Sequence, residues 1–207
     1  MQFLWKIKKY CKKVFRLNLN SEDYWIRRYD SGGNSGLGSY GKLAEFKAEI
    51  INDFVRTHNI KSVIDFGCGD GNQVKLIKCP SYLGFDISLK AIELCRETFP
   101  RDKSKVFGLM GSYWIRAHLT LSLDVIYHLL EDDVYYTYME RLFGSSTQFV
   151  IIYSSNYDEE QDDYIKRRKF IVWVSKNKPK WELIQYIPNK YPRDSRSNFY
   201  IYGRIHN

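Results

Sequence analysis

The chain has 207 residues, 44% of them hydrophobic and 27% charged, with a formal net charge of +8. That length holds one domain with a proper core, the composition excludes wholesale disorder, and no apolar run is long enough to span a bilayer. The positive charge is uneven. One cluster is Lys6, Lys8, Lys9, Lys12, Lys13 and Arg16, another is Lys166, Arg167, Arg168 and Lys169, and the stretch between is close to neutral. A basic arm on a near-neutral domain suits an address or docking element better than a face that reads nucleic acid, so nucleic acid is not an expected partner. Cys11, Cys68, Cys79 and Cys95 lack C-x-x-C or zinc spacing and read as reduced thiols of a cytoplasmic protein. Lysines interrupt the apolar residues of the N-terminus, which leaves no signal-peptide core.

Residues 3–17 place Phe3, Leu4, Ile7, Cys11, Val14 and Phe15 on one helical stripe with lysines opposite. Such a helix either packs on protein or lies at an anionic membrane surface. It forms an N-terminal element, 1–20, ahead of one domain, 21–207. Tyr29 to Gly41 carries five glycines in 13 residues. It is either a flexible linker or, given the aromatics at both ends and the helix that follows from Lys42 to His58, a lid over a ligand.

From residue 60 strands and helices alternate. Strand 61–66 precedes helix 72–78, and strand 81–86 precedes helix 88–98, which Ser88 is placed to cap. Strand 105–110 has no clear helix after it. Strand 119–123 leads to helix 132–143, whose N-terminus suits Asp132 and Asp133, and strand 148–154 leads to a charged helix near 159–169. The last two apolar stretches, 181–187 and 198–204, are separated only by a proline-containing loop and are expected to pair antiparallel. The pattern predicts an α/β, doubly wound, mostly parallel seven-stranded sheet with an antiparallel last pair and ligands at the carboxyl ends of the strands.

Directly behind the first strand stands VIDFGCGDGNQ, Val63 to Gln73, with Gly67, Gly69 and Gly71 at every second position. A dinucleotide loop needs its third glycine at position 72, which is Asn, and the G-K-[ST] ending of a P-loop is absent. VIDFGCGDG, YLGFDIS, the end of KVFGLM with Gly111-Ser112, and LTLSLDVIYHL occur in the order and spacing of the class I S-adenosylmethionine-dependent methyltransferases, which residues 60 to 155 resemble. The resemblance implies S-adenosyl-L-methionine as cofactor and S-adenosyl-L-homocysteine as product. The cofactor set it implies is Tyr40, Asp65, Gly67, Cys68, Gly69, Asp86, Ile87, Gly111, Ser112 and Leu123. Asp65 resembles the acid that orients the loop and the methionine amino group, with the carboxylate on backbone N–H groups near the following helix start. Asp86 takes the ribose hydroxyls or, failing that, caps a helix; Cys68 is a small filler rather than a nucleophile.

Acceptor chemistry clusters in SLDVIYHLLEDD. His128 stands four residues beyond Asp124, so a helical turn there turns both side chains one way. His128 is a candidate general base for a hydroxyl acceptor, with Asp124 orienting it or binding the acceptor; the alternative for His128 is a hydrogen bond to the loop or stacking on substrate. His118 lies at the opposite end of its strand, reads as a surface or strand-capping residue, and leaves no metal site expected. Tyr29, Tyr127 and Asn156 are candidate acceptor contacts.

The whole layout, from YWIRRYDSGGNSGLGSYG through SLDVIYHLLED to the closing W-E-L strand, is similar to small methyltransferases of surface-glycan assembly. That likeness implies O-methylation of a sugar hydroxyl on a glycan acceptor, with a glycosyltransferase partner or a membrane surface for residues 1–17. The alternatives are another small molecule, RNA, or a cofactor-binding subunit without catalysis. An N-P-P-Y-type motif is absent after the fourth strand, which argues against methylation of a base nitrogen.

Overall fold

The computed structural model describes residues 20–111, 115–159 and 164–205. Seven strands, β1 (Val63–Phe66), β2 (Tyr82–Asp86), β3 (Lys105–Leu109), β4 (Ala117–Leu123), β5 (Ser146–Ser154), β6 (Trp181–Ile187) and β7 (Asn198–Arg204), form one sheet. Their order is β3-β2-β1-β4-β5-β7-β6. The first five are parallel neighbours, and β7 runs antiparallel to both β5 and β6. This is the expected doubly wound, mostly parallel sheet with an antiparallel closing pair.

The helices are α1 (Ser21–Asp30), α2 (Gly41–Thr57), α3 (Leu89–Thr98), α4 (Asp132–Gly144) and α5 (Phe170–Asn177). Side chains alternate across a strand, so a strand covered on both faces must be apolar throughout. β1 obeys this apart from the buried Asp65, and β5 obeys it from Phe149 to Tyr153. Val63, Ile151 and Tyr153 pack with Phe46, Ile51 and Phe54 of α2 and Ile92 of α3. Ile64, Phe66, Val150 and Ile152 pack with Tyr135, Met139 and Leu142 of α4 and Phe170 and Val174 of α5. Among the described residues no helix is long and apolar enough to cross a membrane. The basic stripe at residues 3–17, and with it residues 1–19 of the N-terminal element, lies outside the described residues.

Two expectations need correction, and one helix was not expected. The segment 72–78 is not an α-helix but one 3-10 turn, Gln73–Leu76, after which Ile77 is extended. Asn52 of α2 replaces the missing helical partners, donating to the Leu76 carbonyl at 2.8 Å and accepting from the Lys78 N–H at 2.7 Å. Residues 164–169 are not helical, and the helix begins only at Phe170. Lys166 and Arg168 are drawn instead to Asp132 (2.8 and 2.7 Å), and Arg168 also binds the carbonyls of Leu129 and Leu130. Helix α1, unexpected from the sequence, starts at Asn20, whose side chain accepts from the Asp23 N–H at 2.7 Å, the usual way such a residue closes a helix N-terminus.

Helix α2 is fastened to the sheet by Lys47, fully buried, whose Nζ lies 2.8 Å from Asp124 Oδ2 just beyond β4. Removing one partner of a buried pair strands the other. Lys47→Met is therefore expected to lower the unfolding free energy by about 3–5 kcal/mol in chemical denaturation. Adding Asp124→Asn should recover part of that loss, because asparagine carries no charge and tolerates the positive φ found at this position.

Candidate active site

β1 runs into the glycine loop, where Gly67, Gly69 and Gly71 have φ of 88°, 60° and 80°. Space is as restrictive as conformation. A Cβ on Gly67 would stand 2.5 Å from Val125 Cγ2, and one on Gly69 would stand 2.2 Å from Ser35 Oγ. The loop is held from beside by β2: the N–H groups of Gly67 and Cys68 both donate to the Phe85 carbonyl, at 2.7 and 3.0 Å. Gly69 donates to Asp86 Oδ2 and Asp70 to Ser35 Oγ, each at 3.0 Å. These four N–H groups are thus engaged within the protein. The cation lining the cleft among the described residues is Arg28 of α1.

The glycine-rich segment after α1 is a lid laid on this loop. Ser35 N–H donates to Asp70 Oδ2 at 3.0 Å, Tyr40 OH to the same oxygen at 2.7 Å, and Asn72 Nδ2 to the Ser39 carbonyl at 2.7 Å. Tyr29 OH meets Ser35 Oγ at 2.9 Å. These bonds hold the Asp70 carboxyl below its usual range against its partial burial, and burial together with Asp70 pushes the Tyr40 phenol up to about 12.

Lid, loop and strand ends enclose a cleft of about 620 Å³. Of the residues expected to hold a cofactor, Gly67, Gly69, Asp86, Ile87 and Leu123 line it. Asp86 is buried at the end of β2 and accepts from Gly69 and, at 2.9 Å, from Ser88. Burial pushes its carboxyl up to about 6 against those N–H bonds. Ser88 also caps α3 as expected, its side chain accepting from Ala91 N–H.

The other expected residues sit elsewhere. Asp65 lies buried beneath the loop, bound to Tyr82 OH at 2.6 Å and pushed up to about 6, chiefly by burial, while its Oδ1 has no hydrogen-bond partner. The Cys68 side chain is a buried filler beside Gly84. Tyr40 is a lid tie, and Gly111 borders a smaller cavity with Phe66 and Arg141, its place on the cleft being taken by Met110. Ser112 lies outside the described residues.

Beyond β4 the chain does not form the expected helical turn. Asp124 adopts φ of 60°, and Ile126–His128 is one 3-10 turn. Asp124 does not bind His128. Its Oδ2 takes Lys47, and its Oδ1 takes Tyr127 OH at 3.0 Å and Ser197 Oγ at 2.8 Å. His128 Nδ1 is instead 2.9 Å from the Tyr164 carbonyl. Around the imidazole stand Trp25 at 4.9 Å, Tyr127 at 4.4 Å and Tyr164 at 6.2 Å between ring centroids, and Tyr24 stacks on Tyr164. Burial lowers the imidazole to about 4. Tyr29 and Tyr127 line the cleft, whereas Asn156 does not: its Oδ1 accepts from Ile171 N–H at the start of α5. His118 sits at the other end of β4, where Nδ1 accepts from Lys61 N–H.

Sequence reasoning missed Trp25, Arg28, Lys47, Met110 and Tyr164. Asn20-Ser21-Glu22-Asp23, a capping residue followed by acids, was the signal for the helix that carries the first two.

No protein-family model matches the chain, and no curated protein matches it. Solved structures do. The methyltransferase domain of a bacterial Hen1 (CtHen1-C) shares 17% identity, covering 80% of this chain and 100% of its own, with a TM-score of 0.63. Magnesium protoporphyrin IX methyltransferase (ChlM) from Synechocystis PCC 6803, with S-adenosylhomocysteine bound, shares 14% identity over 93% of this chain and 99% of its own, TM-score 0.63. The N-methyltransferase NodS from Bradyrhizobium japonicum WM9 shares 8% over 91% and 100%, TM-score 0.67. The fold is that of the class I S-adenosylmethionine-dependent methyltransferases.

Gly69→Ala tests the contact between lid and loop. The added methyl meets Ser35 Oγ, so the variant is expected to speed amide hydrogen exchange across residues 31–40 and to cost about 1–3 kcal/mol of stability.

Proposed function

We propose that this chain is an S-adenosylmethionine-dependent O-methyltransferase that acts on a sugar hydroxyl during glycan synthesis, with His128 as general base. The single observation that carries this reading is the setting of His128, on the same cleft as Asp86 and the glycine loop. A carbonyl only accepts, so Nδ1 carries the ring hydrogen and Nε2 keeps its lone pair. No protein partner for Nε2 occurs among the described residues.

Three features fit the cofactor. Gly67 and Gly69 leave room that a Cβ would fill. Asp86 offers buried carboxylate oxygens at the end of β2, suited to ribose hydroxyls. Arg28, on the cleft, is complementary to the carboxylate end of an amino acid. The cofactor, when bound, supplies a methyl group already activated by its sulfonium. The protein then has to hold an acceptor oxygen in line and take one proton. As the oxygen–methyl bond forms, the hydroxyl hydrogen becomes strongly acidic, so a ring with a pKa of about 4 is basic enough to accept it. The aromatic wall of Tyr24, Trp25, Tyr127 and Tyr164 suits the C–H face of a sugar ring.

The neighbours do not choose the acceptor, since one of them is a small RNA methyltransferase and another methylates magnesium protoporphyrin IX. The run 166–169 gives RNA little support, because Lys166 and Arg168 are engaged by Asp132. Residues 1–17 remain proposed as the contact to a membrane surface or a glycosyltransferase. Turnover of any acceptor rules out a purely cofactor-binding subunit.

Calorimetric titration with S-adenosylmethionine and S-adenosylhomocysteine is expected to show micromolar binding that Asp86→Ala removes. Asp86 must be ionised to accept two hydroxyls, so affinity should fall about tenfold per pH unit below its pKa of about 6. No binding by either protein would overturn the assignment.

His128→Ala is expected to lower kcat by about 10²–10⁴-fold while sparing cofactor affinity. In the wild type at saturating cofactor, kcat/KM for the acceptor should stay level from neutral pH down to roughly 5 and fall with a midpoint near the imidazole pKa of about 4. An unchanged rate in the variant would remove His128 from the base role.

A further inference from the structure

A second cavity, of about 690 Å³, opens beside the cleft, and Tyr127 borders both. It lies at the carboxyl ends of β4 and β5, between Ser155 and the loop that leads into β7. Arg167, Arg193 and Arg196 line it, against only Glu159 and Asp194. Asp194 is already engaged by Lys42 at 2.8 Å. Glu159 is shared, pairing with Arg167 through one oxygen and with Arg196 through the other at 3.3 Å. Arg193 has neither an ion-pair nor a hydrogen-bond partner among the described residues. Ser155, also on the lining, is buried with an unpartnered hydroxyl. The cavity therefore presents an excess of guanidinium groups and a spare hydrogen-bonding oxygen, next to the site where the acceptor hydroxyl is to be methylated.

We infer that this cavity holds the phosphate or diphosphate of the acceptor, so that the sugar is methylated as a glycosyl phosphate whose ring lies on the aromatic wall. The inference rests on the sugar O-methyltransferase reading and names its substrate class. Guanidinium forks match phosphate oxygens in pairs, and an arriving phosphate would replace Glu159 as the shared partner of Arg167 and Arg196. A glycosyl phosphate places its anion directly beside the ring, as the two cavities lie on either side of Tyr127. The same chemistry occurs in nucleotide-linked and in lipid-linked sugars.

The test is calorimetric titration of inorganic pyrophosphate into the full chain with S-adenosylhomocysteine present, for wild type and for Arg193→Ala with Arg196→Ala. Both side chains are exposed, so the double variant should fold, and its affinity for S-adenosylhomocysteine is expected to match wild type. Pyrophosphate should bind the wild type and bind at least tenfold more weakly to the double variant. A uridine diphosphate sugar displacing the pyrophosphate would mark a nucleotide-linked acceptor, and undecaprenyl diphosphate in detergent a lipid-linked one. Displacement by neither overturns the inference, as does pyrophosphate binding that is absent or indifferent to the two arginines while S-adenosylhomocysteine still binds. Glucuronate binding as tightly as pyrophosphate would make this a carboxylate site and overturn it equally. Failure of S-adenosylhomocysteine to bind the wild type is the separate result that removes the methyltransferase reading and the inference with it.

Discussion

Lys47 and Asp124 meet at 2.8 Å with almost no access to water, and four separately folded segments converge on that contact. Asp124 Oδ2 takes the lysine of α2, while Oδ1 takes Tyr127 from the turn after β4 and Ser197 from the loop before β7. The lid backbone also passes close, since a Cβ on Gly38 would stand 2.9 Å from Asp124 Oδ2. Desolvating two charges is costly, and the cost is recovered only where the remaining hydrogen-bonding capacity is used as well. Here both carboxylate oxygens are used. Asp124 accepts a left-handed backbone conformation at this junction, and the turn that presents Tyr127 and His128 starts from it.

Part of the positive charge among the described residues does structural work. Lys166 and Arg168 bind Asp132, Arg168 also holds two backbone carbonyls, and Lys178 pairs with Glu140. A basic run read along the sequence therefore overstates the field it presents to a ligand. The charge that faces a cavity comes from residues far apart in the chain: Arg28 on the cleft, and Arg167, Arg193 and Arg196 on the second cavity, beside the paired β5 and β7.

The sheet was legible because strands covered on both faces are mostly apolar, and β1, β2 and β5 carry that mark apart from Asp65, Asp86 and the polar ends of β5. The glycine loop was legible for a related reason: backbone at positive φ in crowded space admits few residues. Lys47 was not, because a lysine in an amphipathic helix reads as solvent-facing until a buried carboxylate is placed opposite it. The support of His128 was hidden more deeply. Its partner is a main-chain carbonyl, 36 residues on, and a carbonyl leaves no signature in residue type. Asn156 was misassigned for the converse reason, its amide having been taken by the N-terminus of a helix that begins later than the charge pattern implied. The segment after the glycine loop looked helical from its own apolar spacing, but Asn52, far away in sequence, holds two of its peptide groups in another shape.

The bonds that close the lid are made to the glycine loop itself. Ser35 and Asp70 exchange two hydrogen bonds, each taking a backbone N–H of the other, and Tyr40 adds a third at the same carboxylate. Anything seated on the loop therefore sits behind a clasp whose two halves belong to the floor and the roof of one chamber. The lid cannot lift from the loop without breaking those bonds, so its position is tied to the Asp70 carboxylate.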